Sequence, residues 1–170
     1  MPYVEEQELV SGPLEEVWLF VADMQRFPEF MPDVESVEIQ ARSSDGLAPF
    51  DWVEAIAEAL TAAQVPSETP WTVSEWVAYH KGSPVIWTEV DVFDRQNRTI
   101  RYSLIEGDIN KLEGAWRLIK EGDQTRVVLS VDIDFGAPNI QKLIGPQLKF
   151  DTRKNSRAML EAIKEHFQKV

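Results

Sequence analysis

The side chains of this sequence best placed to do chemistry are Glu89 and Asp91, in the run Trp87-Thr88-Glu89-Val90-Asp91-Val92-Phe93-Asp94. The run reads as a β-strand, and residues two apart on a strand point to the same side of the sheet. A carboxylate held among aromatic walls loses hydration, which moves its pKa toward neutrality and makes it a better base; a second carboxylate beside it raises one of the two further. On the next strand Tyr102 carries a hydroxyl able to donate a hydrogen bond to a developing negative charge. Glu89, Asp91 and Tyr102 are therefore the candidate catalytic groups, and the chemistry such a set can do is general acid–base catalysis. The other side of the strand, Ile86, Thr88, Val90 and Val92, is the more core-like one. The pattern leaves two arrangements open: the carboxylates in bulk solvent, or both sides covered, with the helix inserted earlier in the chain or a second subunit lying over Val90 and Val92.

Other chemistries are easier to set aside. The chain has no cysteine, which excludes disulfides, a thiol nucleophile and thiolate metal sites. His80 and His166 lie far apart without a ligand cluster, so neither a metal nor another cofactor is expected. Seventeen basic against 29 acidic residues give a net charge of -12, which repels nucleic-acid phosphates and anionic lipid surfaces. No nucleic acid and no membrane is expected as a partner. No stretch approaches the roughly 18 consecutive apolar residues of a membrane helix, and Met1-Pro2-Tyr3-Val4-Glu5-Glu6 lacks the basic and apolar regions of a signal peptide. A cytoplasmic location is the expectation. At 170 residues and 44% hydrophobic content, the chain suits one domain over 1-170 with one core.

The elements that must position these groups follow from periodicity. Tyr3 to Val10 is a short strand; Ser11-Gly12-Pro13 then starts a helix carrying Leu14, Val17, Trp18 and Val21 at helical spacing. Asp23 to Pro32 is a short, bent piece around Phe27 and Phe30, and Val34 to Gln40 alternates as a strand. Residues 43-70 form an insertion: Trp52, Val53, Ile56, Leu60 and Ala63 recur at helical spacing between flanks rich in Pro and Ser. From Thr72 the period is two, with turns at Lys81-Gly82-Ser83-Pro84, Asp94-Arg95-Gln96-Asn97, Gly107-Asp108-Ile109-Asn110 and Glu121-Gly122-Asp123, so a five-stranded meander is expected. Ile100, Tyr102 and Leu104 share one face, as do Leu112, Gly114, Trp116 and Leu118, and Val127, Leu129, Val131 and Ile133. After Phe135-Gly136-Ala137-Pro138 the chain turns helical to its end, with a kink expected at Gly145-Pro146. Leu148, Thr152, Asn155, Met159, Ile163 and His166 form one stripe of that helix. A sheet curled around one long helix need not fill with side chains, and a pocket can remain.

The order of elements and a set of short motifs resemble the START-like (SRPBCC) superfamily, in particular its polyketide cyclase/dehydrase and coenzyme Q-binding branch. The motifs are Leu14-Glu15-Glu16-Val17-Trp18, Phe27-Pro28-Glu29-Phe30-Met31-Pro32, Trp87 to Asp94, Ile105-Glu106-Gly107-Asp108, Leu112-Glu113-Gly114-Ala115-Trp116 and Lys154-Asn155-Ser156-Arg157. The resemblance covers the chain apart from the insertion. It implies an α+β helix-grip fold, a curved antiparallel sheet of about seven strands wrapped around the long C-terminal helix with an extra inserted helix. It also implies that Trp87, Glu89, Asp91, Tyr102, Trp116 and Asn155 face a cavity; Phe30, Leu104 and Met159 join Trp87, Trp116 and Asn155 as candidate substrate contacts. The implied function is an aromatase/cyclase acting on a polyketide presented by an acyl carrier protein, by aldol-type ring closure with or without dehydration. The alternative is a binding or transfer protein for a lipid, quinone or aromatic metabolite, as a monomer or homodimer in either case. Aromatase/cyclases of this superfamily carry an arginine where this chain has Asp91 and a tyrosine near Val34, so their mechanism does not carry over unchanged.

Overall fold

The computed structural model describes residues 3-46, 49-80, 82-134 and 138-168, the last with side chains from 147 onward. Seven strands form one antiparallel sheet: β1 (Tyr3–Val10), β2 (Val34–Arg42), β3 (Trp71–His80), β4 (Ser83–Asp94), β5 (Thr99–Gly107), β6 (Lys111–Glu121) and β7 (Gln124–Asp134). Their spatial order is β1-β7-β6-β5-β4-β3-β2. β3 to β7 is the meander expected from the alternation. β1 and β2, separated by two helices, close its opposite edges. Helix α1 (Leu14–Ala22) and a 3-10 turn (Met24–Glu29) join β1 to β2, α2 (Val53–Ala62) lies in the insertion, and α3 (Pro138–Gln168) ends the chain as one helix across Gly145 and Pro146. Lys81 in the first hairpin turn and the break at Phe135-Gly136-Ala137 lie outside the described residues.

The inner side of the sheet carries the residues grouped by period two: Ile100, Trp116, Leu118, Val127 and Leu129 are buried with Val17 and Val21 from α1, Phe27 from the 3-10 turn, and Leu160 and Ile163 from α3. Burial of this apolar surface is the main source of stability, at roughly 25 cal/mol per Å². The sheet has apolar surface on both sides. A second cluster, Val73, Val90, Val92, Trp71 and Ala41, lies on the outer side of β2 to β4 under Ile56 of α2, with Trp52, Ala59 and Leu60 at its margin. The inserted helix is the cover over Val90 and Val92.

α3 rests along one end of the strand order. Arg157 donates to the backbone oxygen of Gln7 (2.7 Å) and to Glu8 (2.6 Å) on β1, and to Glu161 on its own helix (2.7 Å). Lys164 faces Glu8 at 3.5 Å. Charge-assisted bonds of this kind fix the helix against β1, and β3 to β5 stand further along the curve.

Candidate active site

Register decides what meets Glu89 and Asp91. β3 and β4 pair so that Thr72 is opposite Asp91, Ser74 opposite Glu89 and Trp76 opposite Trp87, and on the other flank Tyr102 of β5 is opposite Asp91. Opposed residues of an antiparallel pair share a side. With α2 covering the other side, both carboxyls turn inward. Glu89 keeps 3% of its exposure and Asp91 0%.

A chain of hydrogen bonds organises the pair. The indole of Trp87 donates from Nε1 to Glu89 Oε1 (2.8 Å). Asp91 Oδ2 accepts from Ser74 Oγ (2.8 Å) and Thr72 Oγ1 (3.3 Å), while Ser74 Oγ itself accepts from Trp76 Nε1 (2.9 Å). The Trp76 and Trp87 rings stack with centroids 5.6 Å apart and planes 12° from parallel. Asp91 Oδ1 is buried and meets no hydrogen-bond donor, and Glu89 is the carboxyl that acts on Asp91 most directly. Burial pushes Glu89 well above the ordinary carboxylate range, and the neighbouring Asp91 charge pushes it further. Burial raises Asp91 as well, but the bonds from Glu89, Ser74 and Thr72 pull the other way. Of the two, Glu89 is the carboxyl that burial and its neighbour bias toward the protonated form, and Asp91 the one whose hydroxyl donors favour a carboxylate.

Glu89 forms part of the wall of a cavity of about 170 Å³ between the sheet and α3. Trp76, Trp87, Tyr102, Leu112, Trp116, Leu129, Val131 and Ile133 line it from the strands; Leu148, Thr152, Asn155, Ser156 and Met159 line it from α3. Pro32, Asp33, Tyr79 and His80 rim its outer end, where His80 stands 3.7 Å from Asp151 of α3. Of the side chains expected here, Glu89, Tyr102, Trp87, Trp116, Asn155 and Met159 come together around one space.

Three placements differ from expectation. Asp91 stands behind Glu89, outside the cavity lining. Phe30 does not reach the cavity: it stacks on Phe20 at 4.7 Å and lies 6.0 Å from His166, at the far end of α3, because the 3-10 turn directs it toward α1. Leu104, opposite Glu89 across a register shift between Thr88 and Glu89, packs against the main core and does not line the cavity. Tyr102 lines the cavity, but its hydroxyl donates to the backbone oxygen of Ser130 (2.5 Å). It crosses Gly114 to get there, where an added Cβ would stand 2.4 Å from the hydroxyl and 2.0 Å from the Ser130 oxygen. The proton expected for an enolate is engaged elsewhere; burial first, then Glu89 and Asp91, push the phenol well above its usual range.

Ser74, Thr72 and Trp76 are the functional groups that sequence reading missed. Their own segment was legible as a strand, and Ser74 at 0% exposure is a small polar residue in an apolar alternation. Its partner became visible only with the register. No group of three or more His, Cys, Asp or Glu that could hold a metal ion occurs among the described residues, and no helix among them is long and apolar enough to cross a membrane.

The sequence profile of a family described as polyketide cyclase / dehydrase and lipid transport matches residues 10–160. Among curated proteins, none matches the sequence. Solved structures share the architecture over nearly the whole chain. A protein of Thermus thermophilus superposes with a TM-score of 0.77 at 25% identity, covering 98% of this chain and 97% of that one. The Zhui aromatase/cyclase from Streptomyces sp. R1128 gives 0.72 at 20% identity, covering 98% and 93%. A START superfamily protein from Mycobacterium smegmatis gives 0.71 at 18%, covering 98% and 97%.

Proposed function

Because the chain belongs to the polyketide cyclase/dehydrase and lipid transport family, we propose that it directs aldol-type cyclisation, with or without loss of water, of a carrier-bound polyketide folded into the cavity. The observation that carries this reading is the buried carboxyl pair, with Glu89 set in the wall of an otherwise largely apolar space and Asp91 behind it. A carrier of alkyl chains has no use for such a group, and burying it costs stability.

The chemistry follows from the two positions of the pair's proton. When it shifts from Glu89 to Asp91 Oδ1, Glu89 is a carboxylate facing the cavity. It takes the α-hydrogen of a β-dicarbonyl unit, and the C–H electron pair becomes the enolate. The enolate carbon attacks a second carbonyl, a C–C bond forms, and Glu89 returns the proton to the new alkoxide. Loss of water repeats the cycle, with the α-proton taken by Glu89 delivered to the departing hydroxyl. Trp87 orients Glu89 through its Oε1 bond, and Ser74 and Thr72 hold Asp91 ready to receive and return the proton. The stacked indoles and the α3 wall fold the chain so that the reacting carbons meet, an orientation effect that supplies much of the rate.

A second reading is favoured by the apolar walls themselves: binding and transfer of a lipid, quinone or aromatic metabolite without catalysis. Product analysis of a carrier-bound polyketide with and without the protein separates the two. Cyclisation predicts a changed product distribution with the wild type, and a loss of about 100-fold or more in rate for Glu89→Gln and Asp91→Asn, as expected when a general base is removed. A wild-type distribution identical to that without protein overturns cyclisation in favour of transfer.

A further inference from the structure

We propose that the cavity selects ligands by charge, taking uncharged aromatic molecules that bear a carbonyl or phenol oxygen and turning away those whose inner end is a carboxylate, fatty acids included. The inference rests on the cavity being the ligand site, as in the reading above, but not on turnover.

Three features support it. The first is the fixed charge behind Glu89. Asp91 receives two hydroxyl bonds, from Ser74 and Thr72, and Ser74 is itself aligned by the Trp76 indole. These donors stabilise a carboxylate in place without neutralising it. A carboxylate entering the same low-dielectric space would bring a second negative charge close to the first, with both desolvated. The second feature is what the wall lacks: no Lys or Arg is among the described residues lining the cavity. Recognition of a carboxylate calls for such a donor. His80 stands at the rim against Asp151, at the end away from Glu89.

The third feature is what the wall offers instead. Glu89, buried in the cavity wall, is biased toward its protonated form, and a neutral oxygen is the partner a carboxylic acid can serve without creating charge. Trp76, Trp87 and Trp116 give flat apolar surfaces suited to a planar ring. Across the space, Thr152, Asn155 and Ser156 of α3 are polar and uncharged, able to meet further hydroxyl or carbonyl groups. Every polar group around the cavity apart from the carboxyl pair and the rim is neutral, which fits a ligand rich in ketone and phenol oxygens.

The test uses two probes of matched shape, 2-acetylnaphthalene and 2-naphthoate, with quenching of tryptophan fluorescence as the measure of binding at neutral pH. The wild type is expected to bind the ketone at least about tenfold more tightly than the carboxylate. Asp91→Asn keeps the shape and removes the charge, and its preference should fall to within about threefold. Asn155→Arg, which sets a cation on the opposite wall without touching the carboxyl pair, should tighten naphthoate binding by about tenfold, and this arm stands if Asp91→Asn fails to fold. Equal affinity of the wild type for both probes, no binding of the ketone, or an undiminished preference in folded Asp91→Asn would each overturn the proposal. Unchanged polyketide products together with intact probe discrimination would overturn catalysis and leave charge selection standing.

Discussion

Burial of Glu89 at 3% exposure, and then the Asp91 carboxyl beside it, both disfavour its ionised form in the folded chain. Folding therefore raises its pKa above the ordinary 4.5, and the folded state binds more protons than the unfolded one between that value and the raised one. Stability from this source is fully present below the unfolded pKa and is lost as pH rises through the folded pKa. Glu89→Gln removes the titration and keeps the hydrogen-bonding shape. We expect denaturant unfolding from pH 5 to pH 8 to show the variant gaining on the wild type as pH rises, by up to roughly 1.4 kcal/mol per pH unit within the window. Parallel pH profiles for the two proteins would show that Glu89 ionises in the folded state as it does in the unfolded chain. The pairing of Glu89 with Asp91 was legible from spacing alone, because a strand has period two. That Phe30 and Leu104 stand away from the cavity was not, because helix entry angles and register shifts act over distances that a local pattern does not encode.

The inserted helix explains why β4 reads ambiguously. Its two sides, Glu89 with Asp91 and Val90 with Val92, are both buried: one faces the interior and the other lies under α2. Ile56 is the pin of that contact, 4% exposed against Val73, Val90 and Val92. Ile56→Ala leaves a void beneath a helix of only 10 residues, and a cost of about 2–4 kcal/mol is expected from urea unfolding. Loosening of β4 should follow, seen as faster amide exchange at Val90 and Val92. A cost under about 0.5 kcal/mol would mean that α2 is a loosely held surface insertion. Amphipathic spacing alone predicted the helix; its target was decided by where the strands of the meander lie.

At the scale of the whole molecule, two properties stand out, a hollow interior and a large negative charge. The hollow follows from where α3 is tied. Its ion pairs run to β1, Leu160 and Ile163 fill the core with α1 and the sheet, and the curve of β3 to β5 stands off from the more N-terminal part of the helix, where Leu148, Thr152 and Asn155 line the cavity. The charge of -12 is spread over a surface whose self-repulsion opposes compactness. Raising NaCl from low ionic strength toward about 0.3 M, where the screening length shrinks to several Å, should raise the midpoint of thermal unfolding by a few degrees, roughly the effect of 1 kcal/mol. A midpoint that falls with salt would show that the Arg157 and Lys164 pairs outweigh the repulsion.

Sequence alone determined the elements and their order, the side shared by Glu89 and Asp91, and the long helix that closes the sheet, because each depends on spacings of two to four residues along the chain. Which side of β4 would face the interior depended on α2 reaching the opposite side, and which polar groups would serve the carboxyls depended on the β3–β4 register. The distance between α3 and β3 to β5 left the space beside them. These are relations between segments remote in the chain, set by packing, and only the tertiary structure could decide them.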